Sequence, residues 1–358
     1  MINQRSVIIF NHAISSESTK TGYLNELKRF KEFYKIRDYD SLTTIEPKKL
    51  NIMIEDYIMS RIGKAERSSL NHSLSALDLF FSMNDITLNF KKIKKLVPKQ
   101  EQKLSGMRAY TVDEIRELIE FCKTYVHKVL IYVMASSGVR VGFVEGLRIK
   151  HLRYMPMDCK AITVYADTVY EYTTFMTPEA SRKLELYFEC RRKHGEKLTP
   201  ESFVFITEKR NCFMASGLST LFSRLARESS LTRTKTHRNR YDIMSAHGIR
   251  KFFDTTLKLN QNLNPAIVER LMSHKSRSIP LDSSYFCPSV NDLFEVYQKA
   301  IPSLTIDKSS RLEIELEQNK QRLQKLENTK DRRIEELEND MRIVKEFAKS
   351  IRKENLSL

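Results

Sequence analysis

The sequence predicts a mainly α-helical protein with one small β-hairpin or sheet, built as a helical first domain, a larger second domain and a long C-terminal coiled-coil helix. Three observations carry this. Gly and Pro number 9 each in 358 residues, too few for an all-β or disordered chain. Apolar residues recur at three- and four-residue steps along much of the chain. One stretch, residues 161–176, is instead dense in β-branched and aromatic types.

The elements follow in order. MINQRSVIIFNH has no charged lead and no small-residue cleavage site, and reads as an arm or first helix. Residues 16–37 read as a helix, with Ser16 and Ser18 as N-caps and Tyr23, Leu24, Leu27, Phe30, Phe33 and Tyr34 on one face. Helices are expected at 47–62 and 65–83, the second carrying Leu70, Leu74, Leu77, Leu79 and Phe80. Together they form a domain over 1–95. The basic run FKKIKKLVPKQEQK (90–103) reads as an interdomain linker, with its bounds set at 96–109. Such a run is either solvated surface or well placed to cross a polyanion backbone.

Order resumes at Tyr110. Thr111 and Glu114 make a capping box ahead of a helix that buries Ile115, Leu118, Ile119 and Cys122. An apolar helix follows near 126–136. Residues 161–176 read as a hairpin turning at Asp167 and Thr168, with Tyr165, Tyr170 and Tyr172 as sheet residues. Helices are expected again at 178–197 and 216–227, and RTKTHRNR (233–240) reads as a basic loop touching phosphates. This second domain spans 110–306. The tail, 307–358, holds no Gly or Pro and follows a heptad register with a stutter at Lys330. It reads as a coil that self-associates or packs on its own chain, against the simpler reading of a solvated single helix.

The net charge is +16. The tail from Lys308 holds 13 Lys/Arg and 11 Asp/Glu, so +14 resides on the remainder. A globular part this basic attracts a polyanion, nucleic acid being the usual one. No apolar run reaches eighteen residues, so no membrane partner is expected. The five cysteines form no CxxC pair, which argues against zinc and disulfides and fits a reducing cytoplasm.

Three stretches of the second domain carry chemistry: SSGVRVGFVEGL with Arg140, SAHGIRKFF with His247 and Arg250, and LMSHKSRSIPLDSSYF with His274 and Tyr285. Alone, Arg140 reads as a surface helix arginine and the histidines as core residues. In concert, His247 and Arg250 share a helix face, and with Arg140 and His274 they can clamp a phosphate, because guanidinium forks match phosphate oxygens and stay charged. A phenol is a poor nucleophile unless a base or cationic surroundings favour the phenolate, which such a clamp would supply to Tyr285. A phosphotyrosine bond would keep the energy of the phosphodiester. No ATP, metal or other cofactor is then required, and no P-loop motif is present.

The order Arg, HxxR, LMxH and Tyr resembles the tyrosine recombinase (phage integrase) family, and the wording of SGVRVGFVEGLRIKHL, VYADTVYEYTTFMTPEA and LDSSYFCPS is closest to archaeal integrases. The resemblance covers the second domain, and the first suits that family's core-binding domain. It implies that Arg140 and Arg250 hold the scissile phosphate, that His247 is a general base or acid, that His274 hydrogen-bonds the phosphate, and that Tyr285 joins the DNA 3′ phosphate. Two positions depart from the pattern. Phe143 stands where an acidic residue is frequent, with Glu145 close by. The hairpin turn lacks the family's catalytic lysine, and neither Lys160 nor Lys150 lies at the turn.

The implied activity is site-specific recombination of double-stranded DNA, clamped between the two domains. It would proceed by a homo-tetramer in the nucleoid of the cytoplasm and serve integration or excision of a mobile element, with chromosome-dimer resolution as the competitor. The vacant lysine position also admits a catalytically weakened architectural DNA-binding protein, and the same tyrosine admits a topoisomerase-like relaxer.

Overall fold

The computed structural model describes residues 4–99, 106–237, 240–274 and 286–354. The chain divides into two compact units, with the boundary between Lys103 and Leu104.

The first unit is helical, as expected. Its main helices are Arg5–His12, Glu17–Phe33, Pro47–Arg61 and Arg67–Met83. Ser16 takes the N-cap of the second, its side chain accepting from the Thr19 amide. Leu27 and Phe30 are fully buried against Leu50, Ile54, Leu74 and Phe80. Phe33, expected on the same buried face, is half exposed because the helix ends there and the chain turns away. Phe90, Ile93 and Val97 are buried in this same core, so packing extends well into the basic run. Within the core, Glu26 is held by Arg61 at 3.0 Å, Ser73 at 2.5 Å and Arg29 at 2.5 Å. Burial alone would raise its pKa, but the hydrogen bonds from Ser73 and Arg61 hold it below the usual carboxylate value.

The second unit is organised around the helix Tyr125–Ser137, in which every residue from Val129 to Ser137 is buried. The helix Val112–Glu120 before it carries the expected Thr111–Glu114 capping box. A three-stranded antiparallel sheet follows, β1 (Leu152–Tyr154), β2 (Lys160–Val164) and β3 (Tyr172–Met176), with Leu152 opposite Ile162 and Val164 opposite Tyr172. β2 and β3 are the expected hairpin. β1 carries no periodic signal in the sequence, because three residues are too few to show alternation.

Helices Pro178–Lys193, Ala215–Glu228, Ser245–Leu259, Pro265–Leu271 and Val290–Gln298 complete the body. The first stops short of residue 197 at Gly195, whose φ of +81° breaks it. Part of the segment read as a basic loop is a β-ribbon, Lys235–His237 pairing with Arg240–Tyr241.

The end of the central helix sets the geometry of the unit. A helix leaves its last carbonyls without partners, and here they lie in the buried core. Three side chains supply the donors. The Tyr297 hydroxyl donates to Ser136 O at 2.7 Å, the Thr174 hydroxyl to Ser137 O at 2.9 Å, and the Arg250 guanidinium to Gly138 O. Gly138 closes the helix at φ +64°. A Cβ there would lie 2.3 Å from the Phe253 ring.

The tail is a single helix, Lys308–Glu354. Its start is pinned where the buried Glu179 carboxylate accepts from the amides of Ile306 and Asp307 at 2.8 and 2.7 Å. Ile314 packs against the body, whereas Leu316, Leu323, Leu326, Ile334, Leu337, Met341 and Val344 are exposed. Packing of the tail against its own chain is therefore not observed at these residues. No helix among the described residues is long and apolar enough to cross a membrane.

Gly138→Ala is expected to lower the unfolding free energy by about 2–4 kcal/mol, from overpacking plus left-handed strain. Gly195→Ala, with nothing within 4 Å of its Cβ, should cost only the strain, roughly 1–2 kcal/mol. Urea denaturation midpoints of the two variants test the difference.

Candidate active site

Arg140 lies three residues beyond the end of the central helix, in extended backbone that caps the short turn Val141–Glu145. It is not the surface helix arginine of the simpler reading. Its guanidinium is exposed and donates to Ser273 O at 3.4 Å. Arg250 is the opposite case, only 2 % exposed. It donates to Gly138 O and, at 2.5 Å, to Met272 O. Both guanidiniums therefore bind the chain at residues 272–273, immediately ahead of His274. This places the Arg140 segment, the Arg250 helix and His274 in one site by hydrogen bonds alone.

His247 precedes Arg250 by three residues on the helix Ser245–Leu259, as the spacing implied. Its residue surface is exposed, yet its ring is partly desolvated. That partial burial, followed by Arg250, Lys251, His274 and Arg140, pushes its pKa below the ordinary value. His274 is partly buried, and its Nδ1 lies 2.7 Å from Glu269 Oε2. Glu269 also pairs with Lys258 at 2.5 Å, which pairs with Asp254 at 2.8 Å. Burial would raise the Glu269 pKa, but Lys258 and His274 hold it down, so it is ionised. An ionised carboxylate only accepts, so Nδ1 carries the proton and Nε2 is left for a ligand. Burial and Arg250 lower the His274 pKa, opposed by Glu269.

Glu269, Lys258 and Asp254 were not singled out in the sequence. The four-residue step from Asp254 to Lys258 is visible there, but their link to His274 crosses two helices. Tyr165 and Tyr172, taken as sheet residues, also come to the site. Tyr172 pairs in β3, and its hydroxyl is buried beside the Arg250 guanidinium. Tyr165 follows β2 and lies within the field of Arg140 and Arg250. Phe143 is buried and packs on Phe205, so the position three beyond Arg140 belongs to the core. Glu145 instead caps the helix Ala215–Glu228, accepting from the Ala215 amide at 2.7 Å. Lys160 is buried against Glu185 at 2.7 Å, and Lys150 pairs with Glu201 at 3.0 Å. Tyr285 lies outside the described residues.

What this arrangement can do is hold an anion. Two guanidiniums are gathered beside the His274 imidazole through residues 269–273, and charge building on a phosphoryl group held there would be neutralised by donors already in position.

Residues 108–284 match the phage integrase family, and residues 9–84 match the phage integrase N-terminal SAM-like domain. A helical domain of this kind followed by the integrase domain defines the class of tyrosine-type site-specific recombinases. The chain belongs to the phage integrase family. Its fold is similar to that of the Tn1549 transposon integrase in complex with circular intermediate DNA, at TM-score 0.54 and 17% identity over 81% of this chain and 98% of that one. XerH site-specific recombinase bound to palindromic difH substrate aligns at 0.53 and 16% identity, covering 78% of each chain. A lambda integrase dimer bound to a core site aligns at 0.51 and 14% identity, covering 77% of this chain and 92% of that one. No curated protein matches the chain in sequence.

In the DNA-free protein, His247 and His274 are expected to titrate below about 6.5. Their folded pKa values are depressed, so between the two values the unfolded chain takes up protons first. The stability they contribute is therefore full above the unfolded pKa and declines as pH falls through it. Glu269→Gln removes the charge that raises His274 and should lower its midpoint further. Imidazole proton shifts followed by NMR across pH 4–8 check both signs, and an unchanged or higher His274 midpoint in the variant contradicts the assignment.

Proposed function

We propose that this protein cuts and rejoins duplex DNA at a specific site, with Tyr285 as the nucleophile. The observation that carries the reading is the convergence of Arg140, Arg250, His247 and His274 in the integrase domain, three of them tied through residues 269–274. Arg140 and Arg250 would grip the scissile phosphate, and His274 would donate or accept at a phosphate oxygen through Nε2. His247, neutral near pH 7, would take the proton of the Tyr285 phenol as it attacks. The resulting 3′-phosphotyrosine keeps the bond energy, and the freed 5′ hydroxyl of a partner strand reverses the step. Two duplexes require four such sites, so a homo-tetramer on DNA follows. Integration or excision of a mobile element, of archaeal type and acting in the nucleoid, is the setting we favour.

The exposed apolar stripe from Leu316 to Val344 supports self-association of the tail as a coiled coil. The charge placed on the stripe by Leu323→Glu with Leu337→Glu should abolish it. Light scattering would then report a lower mass than for the unsubstituted chain, and an unchanged mass removes this role.

A nicked suicide substrate traps the covalent intermediate and tests the main proposal. Wild-type protein should form an adduct, Tyr285→Phe none, and Arg140→Ala about 10²–10³-fold less. Specific DNA binding with no adduct from wild-type protein would favour the architectural reading, which the absence of a lysine from the hairpin turn motivates. Relaxation of supercoiled DNA lacking any specific site would favour a relaxer.

A further inference from the structure

When the bond from phosphorus to the 5′ oxygen breaks, that oxygen departs as a strongly basic alkoxide and needs a proton. Attacking and leaving oxygens lie in line on opposite sides of the phosphorus. A base placed beside the attacking phenol is therefore badly placed to serve the leaving side. The arginines do not give up protons under working conditions. His274 has its Nδ1 proton committed to Glu269. Lys160 is held between Glu185 at 2.7 Å and the Tyr154 ring, whose centroid lies 3.3 Å from its Nζ. Lys150 is paired with Glu201. The connection from β2 to β3, residues 165–171, contains no lysine.

What that connection does bring to the arginines is the phenol of Tyr165. Tyr165 takes φ +53° at the end of β2, a conformation unusual for a ring-bearing residue. Its hydroxyl lies against the backbone of Gly142, two residues beyond Arg140, so closely that a Cβ at 142 would stand 3.1 Å from it. Glycine at 142 thus makes the room that the hydroxyl occupies. Burial raises its pKa while Arg140 and Arg250 pull it down, and the net is a phenol that stays protonated at neutral pH. Tyr172 differs, because its hydroxyl is buried beside Arg250.

We propose that Tyr165 donates the proton to the departing 5′ oxygen. The assignment rests on the recombinase reading of the site. In cleavage, the bond from Tyr285 Oη to phosphorus forms and the bond from phosphorus to O5′ breaks. The proton of Tyr285 passes to His247 and that of Tyr165 to O5′, leaving a Tyr165 phenolate facing Arg140. In rejoining, the 5′ hydroxyl returns its proton to Tyr165 and His247 returns its own to Tyr285.

Sulfur in place of the leaving oxygen provides the test, because a thiolate departs without protonation. Two nicked substrates of one sequence, differing only in that bridging atom, are compared with the full-length protein. Tyr165→Phe should slow adduct formation about 10²–10³-fold on the oxygen substrate and stay within about threefold of wild type on the sulfur substrate. Gly142→Ala, which displaces the hydroxyl, should show the same pattern in weaker form. Tyr172→Phe should slow both substrates alike. A Tyr165→Phe protein as fast as wild type on oxygen, or equally slow on both substrates, overturns the proposal. Absence of an adduct from wild-type protein on either substrate overturns the recombinase reading itself.

Discussion

The last turn of the helix Tyr125–Ser137 imposes the constraint around which the second unit is arranged. Its carbonyls end inside a packed core, where an unpaired acceptor costs about 1–3 kcal/mol. Tyr297, Thr174 and Arg250 each satisfy one of them, and they come from a late helix, the sheet and the helix Ser245–Leu259. One helix end thus draws three distant parts of the chain together. Arg250 suits this place for a further reason, since the C-terminal end of a helix carries partial negative charge that favours a cation.

That same guanidinium reaches Met272, and Arg140 reaches Ser273. The interactions that finish the fold therefore also aim the site. Burying an arginine is costly unless its donors are used, and two backbone carbonyls use part of its capacity. The fork has further donors beyond these two bonds. Preorganised donors let electrostatic stabilisation act without rearrangement during the reaction.

A second layer sets the protonation states. The chain from Asp254 to Lys258 to Glu269 to His274 fixes one imidazole tautomer. Partial burial and then the cationic crowd around His247 favour its neutral form, the form able to accept a proton. On the sheet side, the strand pairing that sets Val164 opposite Tyr172 delivers two phenols to the arginines.

Much of this was legible in the residues themselves. Helix periodicity, the Thr111 capping box and the β-branched run at 161–176 are local signals, set by spacing and by side chains close in sequence. They predicted the helices and the hairpin, and the spacing of His247 and Arg250 placed both on one helix. Other features depend on contacts between residues far apart in sequence, which periodicity does not encode. β1 exists because β2 offers it an edge, and Phe143 is a core residue because Phe205 lies beside it. Glu145 caps a helix that begins seventy residues later. Glu269 orients His274 across a helix boundary, and Tyr165 reaches the arginines through a left-handed turn and the space left by Gly142. The sequence by itself determined the helices, the hairpin and the shared helix of His247 and Arg250, because these follow from local spacing. Only the tertiary structure decided which of them meet, because burial, carbonyl capping and strand register bring together residues that local sequence leaves apart.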